Sequence, residues 1–129
     1  MPINNNFPTK SEPCDLIVAA VLAAQRSIQY DKMKKTAQGH KYTFMPLFLM
    51  IHLTRDVLRA HGIAIFQSTM SVDGQDYGTT ELIHSSGQWL KSYCPMSVGT
   101  NPRNVMQDIG AAFTYTRRYT LQSALNIAP

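Results

Sequence analysis

The sequence predicts a single α+β domain in which about three helices pack on an antiparallel three- to four-stranded β-sheet, a β-meander. Apolar residues recur at helical spacing in three segments, and three segments rich in β-forming residues follow one another between positions 63 and 96. Short turn sequences join these strands, which favours antiparallel pairing. The chain of 129 residues has room for one ordinary domain, which we place at residues 9–129 behind a flexible N-terminal arm, residues 1–8.

The first helix is predicted directly after this Asn- and Pro-rich arm. Thr9 and Glu12 have the spacing of a capping box, and apolar residues recur at helical spacing from Leu16 to Ile28. Cations at a helix C-terminus complement the helix dipole, and three lysines lie near position 35. We therefore expect this helix to run to about Lys35.

A second helix and three strands are predicted next. Pro46 suits the first helical position, and Gly62 suits the position just past the helix end. One face of this helix is apolar, and the opposite polar face holds His52, Arg55, Asp56 and Arg59. The segment 40–44 is expected to be a short strand or extended. The three strands are predicted at residues 63–72, 77–84 and 88–96, with turns at 73–74 and 85–87.

A last helix is expected from Pro102 to about Asn126, with Asn101 as its cap. Gly110 inside this helix costs about 1 kcal/mol relative to alanine, which indicates that another element packs closely against it. The expected packed face consists of Val105, Ile109, Ala112, Phe113 and Thr116. A second stripe contains Gln107, Thr114, Tyr115 and Arg118, while Arg117 points to neither stripe.

Composition excludes several classes of protein. Apolar residues make up 44% and charged residues 16%, which is incompatible with a wholly disordered chain. No apolar run is long enough to span a membrane, and the N-terminus lacks the features of a signal peptide, so we expect a cytoplasmic protein. Twelve Lys and Arg residues against eight Asp and Glu residues give a net charge of +4, which mildly favours a polyanionic partner.

The motifs of common enzymes are missing from the sequence. No glycine precedes a Lys-Ser or Lys-Thr pair, and GxGxxG, HExxH and GxSxG are absent. The four histidines are scattered, and Cys14 and Cys94 lie far apart. His84 with Glu81 or Asp108 could form an acid–base pair, but a histidine in the sheet with solvated carboxylates elsewhere is the favoured interpretation. We therefore expect no enzymatic activity, no cofactor and no metal.

Cations and aromatic residues alternate along the third predicted strand. Trp89, Lys91 and Tyr93 point to one side of the sheet, while Leu90 and Ser92 point to the other. Aromatic rings can stack on unpaired bases, and lysine can neutralise phosphate. Burial under a helix or against another subunit would explain Trp89 and Tyr93 as well, so both interpretations stay open.

Two further groups combine cations with aromatic residues. The last helix carries Arg118 and Tyr115 on a stripe that has almost no carboxylate. Lysines 32, 34, 35 and 41 precede Tyr42 and Phe44. Each group fits a single-strand site, but for each group taken alone a solvated polar helix face or a solvated lysine cluster is the commoner case.

The segment from Gln107 to Tyr119 reads Q, two residues, G, small residues and then T-Y-x-R-R-Y. It resembles the signature of the Erf (essential recombination function) family of phage single-strand annealing proteins. Further matches occur in the same order: Lys41-Tyr42-Thr43-Phe44, His61-Gly62-Ile63 and the segment 82–88. The resemblance covers about positions 15 to 128 and implies a single-strand-annealing-protein-like core.

The resemblance implies an ATP-independent protein that coats single-stranded DNA and anneals complementary strands in phage or prophage recombination inside the bacterial host cell. It implies a homo-oligomer, either a ring or a filament, with a phage exonuclease and a host single-strand-binding protein as further candidate partners. The residues expected to bind single-stranded DNA are Arg117, Arg118, Lys41, Lys91, Tyr42, Tyr93, Tyr115, Gln107, Thr114, Arg103, Lys34 and Lys35. Trp89, Phe48 and Leu49 are the candidate subunit contacts.

Two other classes of function remain open on sequence grounds. A double-stranded RNA-binding module also has the order helix, three strands, helix, but its last helix begins with a lysine cluster, where this chain has Arg103 alone. A small α+β ligand-binding protein or enzyme subunit with an incidental basic face is the third possibility. Binding of duplex RNA, or a lack of salt-dependent DNA binding, would distinguish these alternatives.

Overall fold

The computed structural model describes residues 6–39, 42–97 and 105–128. Over these ranges the chain is α+β, as predicted. The helices are α1 (Asp15–Ser27), α2 (Leu47–Ala60) and α3 (Val105–Ala124), and a short 3₁₀ turn covers Tyr30–Lys32. The strands are β1 (Ala37–Gly39), β2 (Tyr42–Phe44), β3 (Ile63–Val72), β4 (Gln75–His84) and β5 (Trp89–Pro95).

The predicted meander is the antiparallel sheet β3-β4-β5, and β1 and β2 form a separate small hairpin. The β3–β4 connection is a two-residue turn in which Asp73 and Gly74 both have positive φ, 51° and 80°. Such turns match the right-handed twist of the strands they join, and glycine adopts their backbone without steric cost. The turn therefore sets the register from Val72 opposite Gln75 to Ile63 opposite His84.

All three helices contribute to one core on one face of the sheet. The buried cluster includes Ile17 of α1, Leu58 of α2, Leu82 of β4 and Leu121 of α3. Across the strands Leu82 is paired with Ile65 and Leu90. Because side chains alternate along a strand, Trp89, Lys91 and Tyr93 lie on the opposite face, which we call the outer face. The predicted alternation of β5 is therefore confirmed.

Helix α3 packs so closely on β4 that one position of the strand has no room for a side chain. A methyl group built on Gly78 would overlap the side chain of Thr116. One turn further along, the hydroxyl groups of Thr80 and Thr120 are hydrogen-bonded, and Thr120 also donates to the carbonyl oxygen of Thr116 at 2.7 Å. Glycine and threonine thus give a narrow helix–sheet contact in which the buried hydroxyl groups are satisfied.

The predicted close packing at Gly110 is wrong. Gly110 is exposed, and a methyl group built on it would meet no side chain or strand of the described residues within 4 Å. Val105 and Ile109 of the predicted packed face are also exposed, at 38% and 41%. The helix is packed through its later turns, at Thr116, Thr120 and Leu121. The predicted helix start at residues 101–102 lies outside the described residues.

Helix α1 ends earlier than predicted. Its last residue is Ser27, and Ile28 has an extended backbone (φ −71°, ψ 130°). This bend allows both Ile28 and Met33 to be buried in the core. The Tyr30 hydroxyl group donates a hydrogen bond of 2.9 Å to the carbonyl oxygen of Leu125. Tertiary burial therefore overrides the helical pattern that continues toward Lys35.

The predicted capping box does not form. The side chain of Gln88, in the β4–β5 loop, accepts hydrogen bonds from the backbone N–H groups of Leu16 (2.7 Å) and Ile17 (3.1 Å) instead. The segment around Thr9 pairs with β5: the N–H of Lys91 donates to the carbonyl oxygen of Thr9 at 2.8 Å. A residue 72 positions away thus satisfies the N–H group of Leu16, a partner that local spacing does not reveal.

Part of the predicted N-terminal arm lies on the outer face. The Phe7 ring contacts the edges of Tyr77 and Tyr93, with ring centroids 5.0 and 5.3 Å apart. The Tyr93 hydroxyl group donates to the carbonyl oxygen of Pro8 at 2.6 Å. Residues 1–5 lie outside the described residues, and the flexibility of the arm stays a prediction.

Replacing Gly78 should destabilise the fold. We expect Gly78→Ala to lower the free energy of unfolding by about 1–3 kcal/mol, because the added methyl group forces α3 away from β4. The matched control is Gly110→Ala, the same substitution at an exposed helical position, which should raise stability by up to about 1 kcal/mol. Urea unfolding measures both. A Gly78→Ala protein as stable as the wild type would contradict the close contact.

Candidate nucleic-acid interface

Most of the cationic side chains that the structure describes have no carboxylate partner. All eight Asp and Glu residues lie in the described ranges, as do all lysines and arginines except Lys41 and Arg103. Among the described residues the only ion pair within 4 Å joins Lys10 to Glu12, at 3.7 Å. The other described cations are therefore free to neutralise an external anion such as phosphate.

Arg118 is held inside a group of aromatic rings, which we call the Arg118 cage. Its guanidinium carbon lies 4.3 Å from the ring centroid of Phe44, 5.3 Å from that of Tyr119 and 5.7 Å from that of Tyr115. Only 6% of the residue is exposed. The sequence pattern placed Arg118 on the polar stripe of the helix, but the β1–β2 hairpin brings Phe44 over it.

The Arg118 cage leaves one hydrogen-bonding group unsatisfied. The Nη2 atom of Arg118 is buried and has no hydrogen-bond partner among the described residues. Cation–π contacts compensate part of the cost of burying a guanidinium. They do not replace the hydrogen bonds that a buried charge needs. An oxyanion that reached Nη2 would therefore complete the site.

Two exposed tyrosines form the rim of the cage. Tyr115 and Tyr119 are 48% and 40% exposed, and their ring centroids are 4.3 Å apart. Burial raises the pKa of Tyr115 above its ordinary value of 10, the neighbouring Tyr119 raises it further, and the charge of Arg118 opposes this shift. Tyr115 therefore stays a neutral phenol near pH 7 and offers a ring face for stacking.

Arg117 is positioned by Gln67 of β3. The Nε group of Arg117 donates to Oε1 of Gln67 at 2.9 Å, while Nε2 of Gln67 donates to the carbonyl oxygen of Arg117 at 3.0 Å and to Oγ1 of Thr80 at 2.8 Å. The guanidinium also lies 5.4 Å from the centroid of the Phe113 ring. The two consecutive arginines thus have separate environments, one buried in a cage and the other half-buried beside β3.

Arg117 lines a cleft between α2, β3 and α3 that also contains Arg55 and Arg59. The volume of this cleft is about 460 Å³, and we call it the arginine cleft. The sequence pattern predicts that Arg55 and Arg59 lie on the polar face of α2 and indicates no further role for them. Their i, i+4 spacing was the available signal, but their proximity to Arg117 depends on how α2 and α3 pack.

The outer face of the sheet carries the predicted strand residues. Lys91 Nζ lies 5.5 Å from the centroid of the Tyr93 ring, and Glu81 is the cross-strand partner of Lys91. Burial raises the pKa of Tyr93 above 10, and the charge of Glu81 adds to this shift. Phe7 covers part of Tyr93, and Trp89, Lys91 and Tyr93 are all half-buried.

The structure places the other predicted residues on several surfaces. Gln107, Thr114, Lys34 and Lys35 are exposed. Phe48 is 73% exposed, whereas Leu49 is half-buried and packs against the core. Lys41 and Arg103 lie outside the described residues, and Tyr42 is described by its backbone in β2.

Arg117 and Lys91 lie on opposite faces of the sheet, so these two residues do not line one groove. The roles assigned to these residues stay predictions.

The described ranges contain neither a metal-binding cluster nor a membrane-spanning helix. No three His, Cys, Asp or Glu side chains there lie close enough together to hold a metal ion. None of the helices in those ranges is long and apolar enough to cross a membrane.

The fold and the site define a small basic α+β domain whose described arginines have no carboxylate partner within 4 Å. A family model described as the ERF superfamily matches residues 17–129. The chain belongs to this superfamily, which confirms the resemblance of the T-Y-x-R-R-Y segment. Membership suggests a role in phage single-strand annealing and recombination. No curated protein and no solved structure matches the chain.

The buried charge of Arg118 should make the fold less stable than an apolar side chain of similar volume at this position would. We expect Arg118→Met to leave the free energy of unfolding unchanged or to raise it by about 1–4 kcal/mol, because a similar volume is filled without a buried charge. Arg118→Lys is the control that keeps the charge but loses the planar contact with Phe44, and it should be less stable than Arg118→Met. Thermal unfolding checks this order, and a marked loss of stability in Arg118→Met would contradict it.

Proposed function

We propose that this protein binds single-stranded DNA without sequence preference and anneals complementary strands without ATP, in the recombination of a phage or prophage. The observation that carries the proposal is the set of cations without carboxylate partners on a domain of the ERF superfamily. Phosphate contacts carry no base information, so binding through these side chains is independent of sequence.

Annealing by such a protein requires no chemical fuel. Each base-pair step formed contributes about 1.4 kcal/mol of stacking, which makes the duplex product favourable once the strands are aligned. The protein only has to hold the backbone by phosphate contacts and leave the base edges accessible. The sequence has no Walker phosphate loop, and the superfamily consists of annealing proteins rather than known enzymes.

Tight binding comes from several subunits on one strand. The net charge of +4 per chain gives one subunit modest affinity, whereas linked subunits raise the effective concentration of every further contact. We therefore propose a homo-oligomeric ring or filament. Phe48, at 73% exposure, is the strongest of the predicted contact residues, with Trp89 and Leu49 as the others. A phage exonuclease and a host single-strand-binding protein are the proposed further partners, in the bacterial cytoplasm.

The proposal is tested by fluorescence anisotropy with a labelled oligothymidine, the matching DNA duplex and a duplex RNA, over a range of salt concentrations. We expect the single strand to bind best and its affinity to fall with salt. A strand-annealing assay without nucleotide should then show faster duplex formation. Preference for duplex RNA would favour the double-stranded RNA-binding alternative. No binding to any of these nucleic acids at low salt would exclude the proposal.

The role of the outer face in DNA binding can be tested with two variants that each remove one positive charge. Lys91→Gln should weaken single-strand binding several-fold and reduce the slope of log affinity against log salt by about 0.7, the value for one phosphate contact on a single strand. Lys10→Gln removes the same charge from a lysine already paired with Glu12, and it should change both quantities less. Equal effects of the two variants would mean that net charge, and not a contact at Lys91, determines binding.

A further inference from the structure

The arginine cleft has a defined shape and composition. Ile51, Arg55, Leu58 and Arg59 line it from α2, at positions that share one face of a helix. Ile63 to Ile65 and Gln67 line it from β3, and Arg117 lines it from α3. The cleft therefore lies along the first half of β3, an edge strand of the sheet.

The floor of the cleft is apolar and the rim is cationic. Leu58 and Ile63 are 1% and 2% exposed, whereas Arg55 and Arg59 are exposed. Among the described residues no carboxylate lies within 4 Å of any of the three arginines. A volume of about 460 Å³ falls within the range of about 300–1,000 Å³ typical of small-ligand sites.

Arg117 is the preorganised part of the rim. Its Nε group is bonded to Gln67, whose amide also bonds to Thr80 and to the Arg117 backbone. These bonds use Nε and leave the two terminal nitrogens of the guanidinium for other acceptors. Arginine held in this way binds phosphate with a smaller loss of side-chain entropy.

We propose that the arginine cleft binds one nucleotide of the DNA strand, with one face of its base against the apolar floor, its pairing edge toward solvent and its flanking phosphates on Arg55, Arg59 and Arg117. The proposal rests on the proposed function and adds a position for the strand. Among the described residues that line the cleft, Gln67 is the only uncharged polar one, and its amide is already bonded to Arg117 and Thr80. The described lining therefore offers no free side-chain amide or hydroxyl group to read a base edge, and we expect the site to accept any base.

A strand from a second copy of the chain is the competing occupant, since the cleft lies beside the edge of β3. Such a partner would need carboxylates to match three arginines. This chain has eight Asp and Glu residues against twelve Lys and Arg residues, whereas a DNA strand carries a phosphate at every nucleotide. The charge of the cleft therefore favours a polyanionic strand over this protein's own surface.

The test compares the double variant Arg55→Gln/Arg59→Gln with the control Lys10→Gln/Arg26→Gln, which removes the same charge from exposed residues outside the cleft. Both are measured by anisotropy with oligothymidine over a range of salt concentrations, and their masses by sedimentation. We expect the cleft variant to lose tenfold or more in affinity and about 1.4 in salt slope, the value for two phosphate contacts on a single strand. The control should lose less than threefold.

A second probe tests the position of the base. The wild type should prefer oligothymidine over an abasic strand of equal length, and Ile51→Thr, which places a hydroxyl group in the floor, should reduce this preference. A preference unchanged in Ile51→Thr would overturn the placement of the base. Thermal unfolding establishes that each variant is folded.

The remaining outcomes distinguish a failure of the cleft proposal from a failure of the proposed function. If the wild type binds and the cleft variant and the control lose the same affinity, the cleft proposal is overturned and the proposed function stands. A cleft variant with altered mass but unchanged affinity per subunit would overturn the proposal in favour of a subunit contact. Wild-type protein that binds no single-stranded DNA would overturn the proposed function, and the cleft proposal with it.

Discussion

The contact between α3 and β4 is the constraint on which the arrangement of the arginines depends. Gly78 has no side chain, so Thr116 can lie directly over the strand, and the hydroxyl groups of Thr80 and Thr120 bond one turn further along. This short distance places Arg117 beside Gln67 of β3 and turns Arg118 toward Phe44. Two residues that are adjacent in sequence thereby serve two different sites.

The Arg118 cage and the arginine cleft both hold positive charge without neighbouring carboxylates among the described residues. Folding normally pairs or solvates its charged groups, and a buried guanidinium without an acceptor costs free energy. Here Arg118 is nine-tenths buried with an unpartnered Nη2, and three arginines line a cleft without a neighbouring carboxylate among the described residues. Such an arrangement is less stable alone than with a polyanion, because phosphate oxygens would supply the missing acceptors. On the proposed function, a polyanion bound at these positions would therefore also raise the free energy of unfolding.

The parts of the structure that follow from local chemistry were predictable. The Asp73-Gly74 turn and the end of α2 just before Gly62 depend on local backbone conformation, and the alternation along β5 depends on a period of two. Neighbouring residues determine all three features. The end of α1 was not predictable in this way, because Ile28 and Met33 leave the helical pattern to enter a core formed by distant elements. The same holds for Gln88, which caps α1 from the β4–β5 loop.

The sequence by itself determined the fold class, the absence of common catalytic motifs and, through the T-Y-x-R-R-Y segment, membership in the ERF superfamily. Only the tertiary structure decided where the cations lie. Arg55 and Arg59 read as solvated helix residues until α2 is packed beside α3, and Arg118 reads as exposed until the β1–β2 hairpin covers it. The reason is physical: helical and strand periodicity specify which side of an element a residue occupies, but burial and charge density depend on which other element packs against that side.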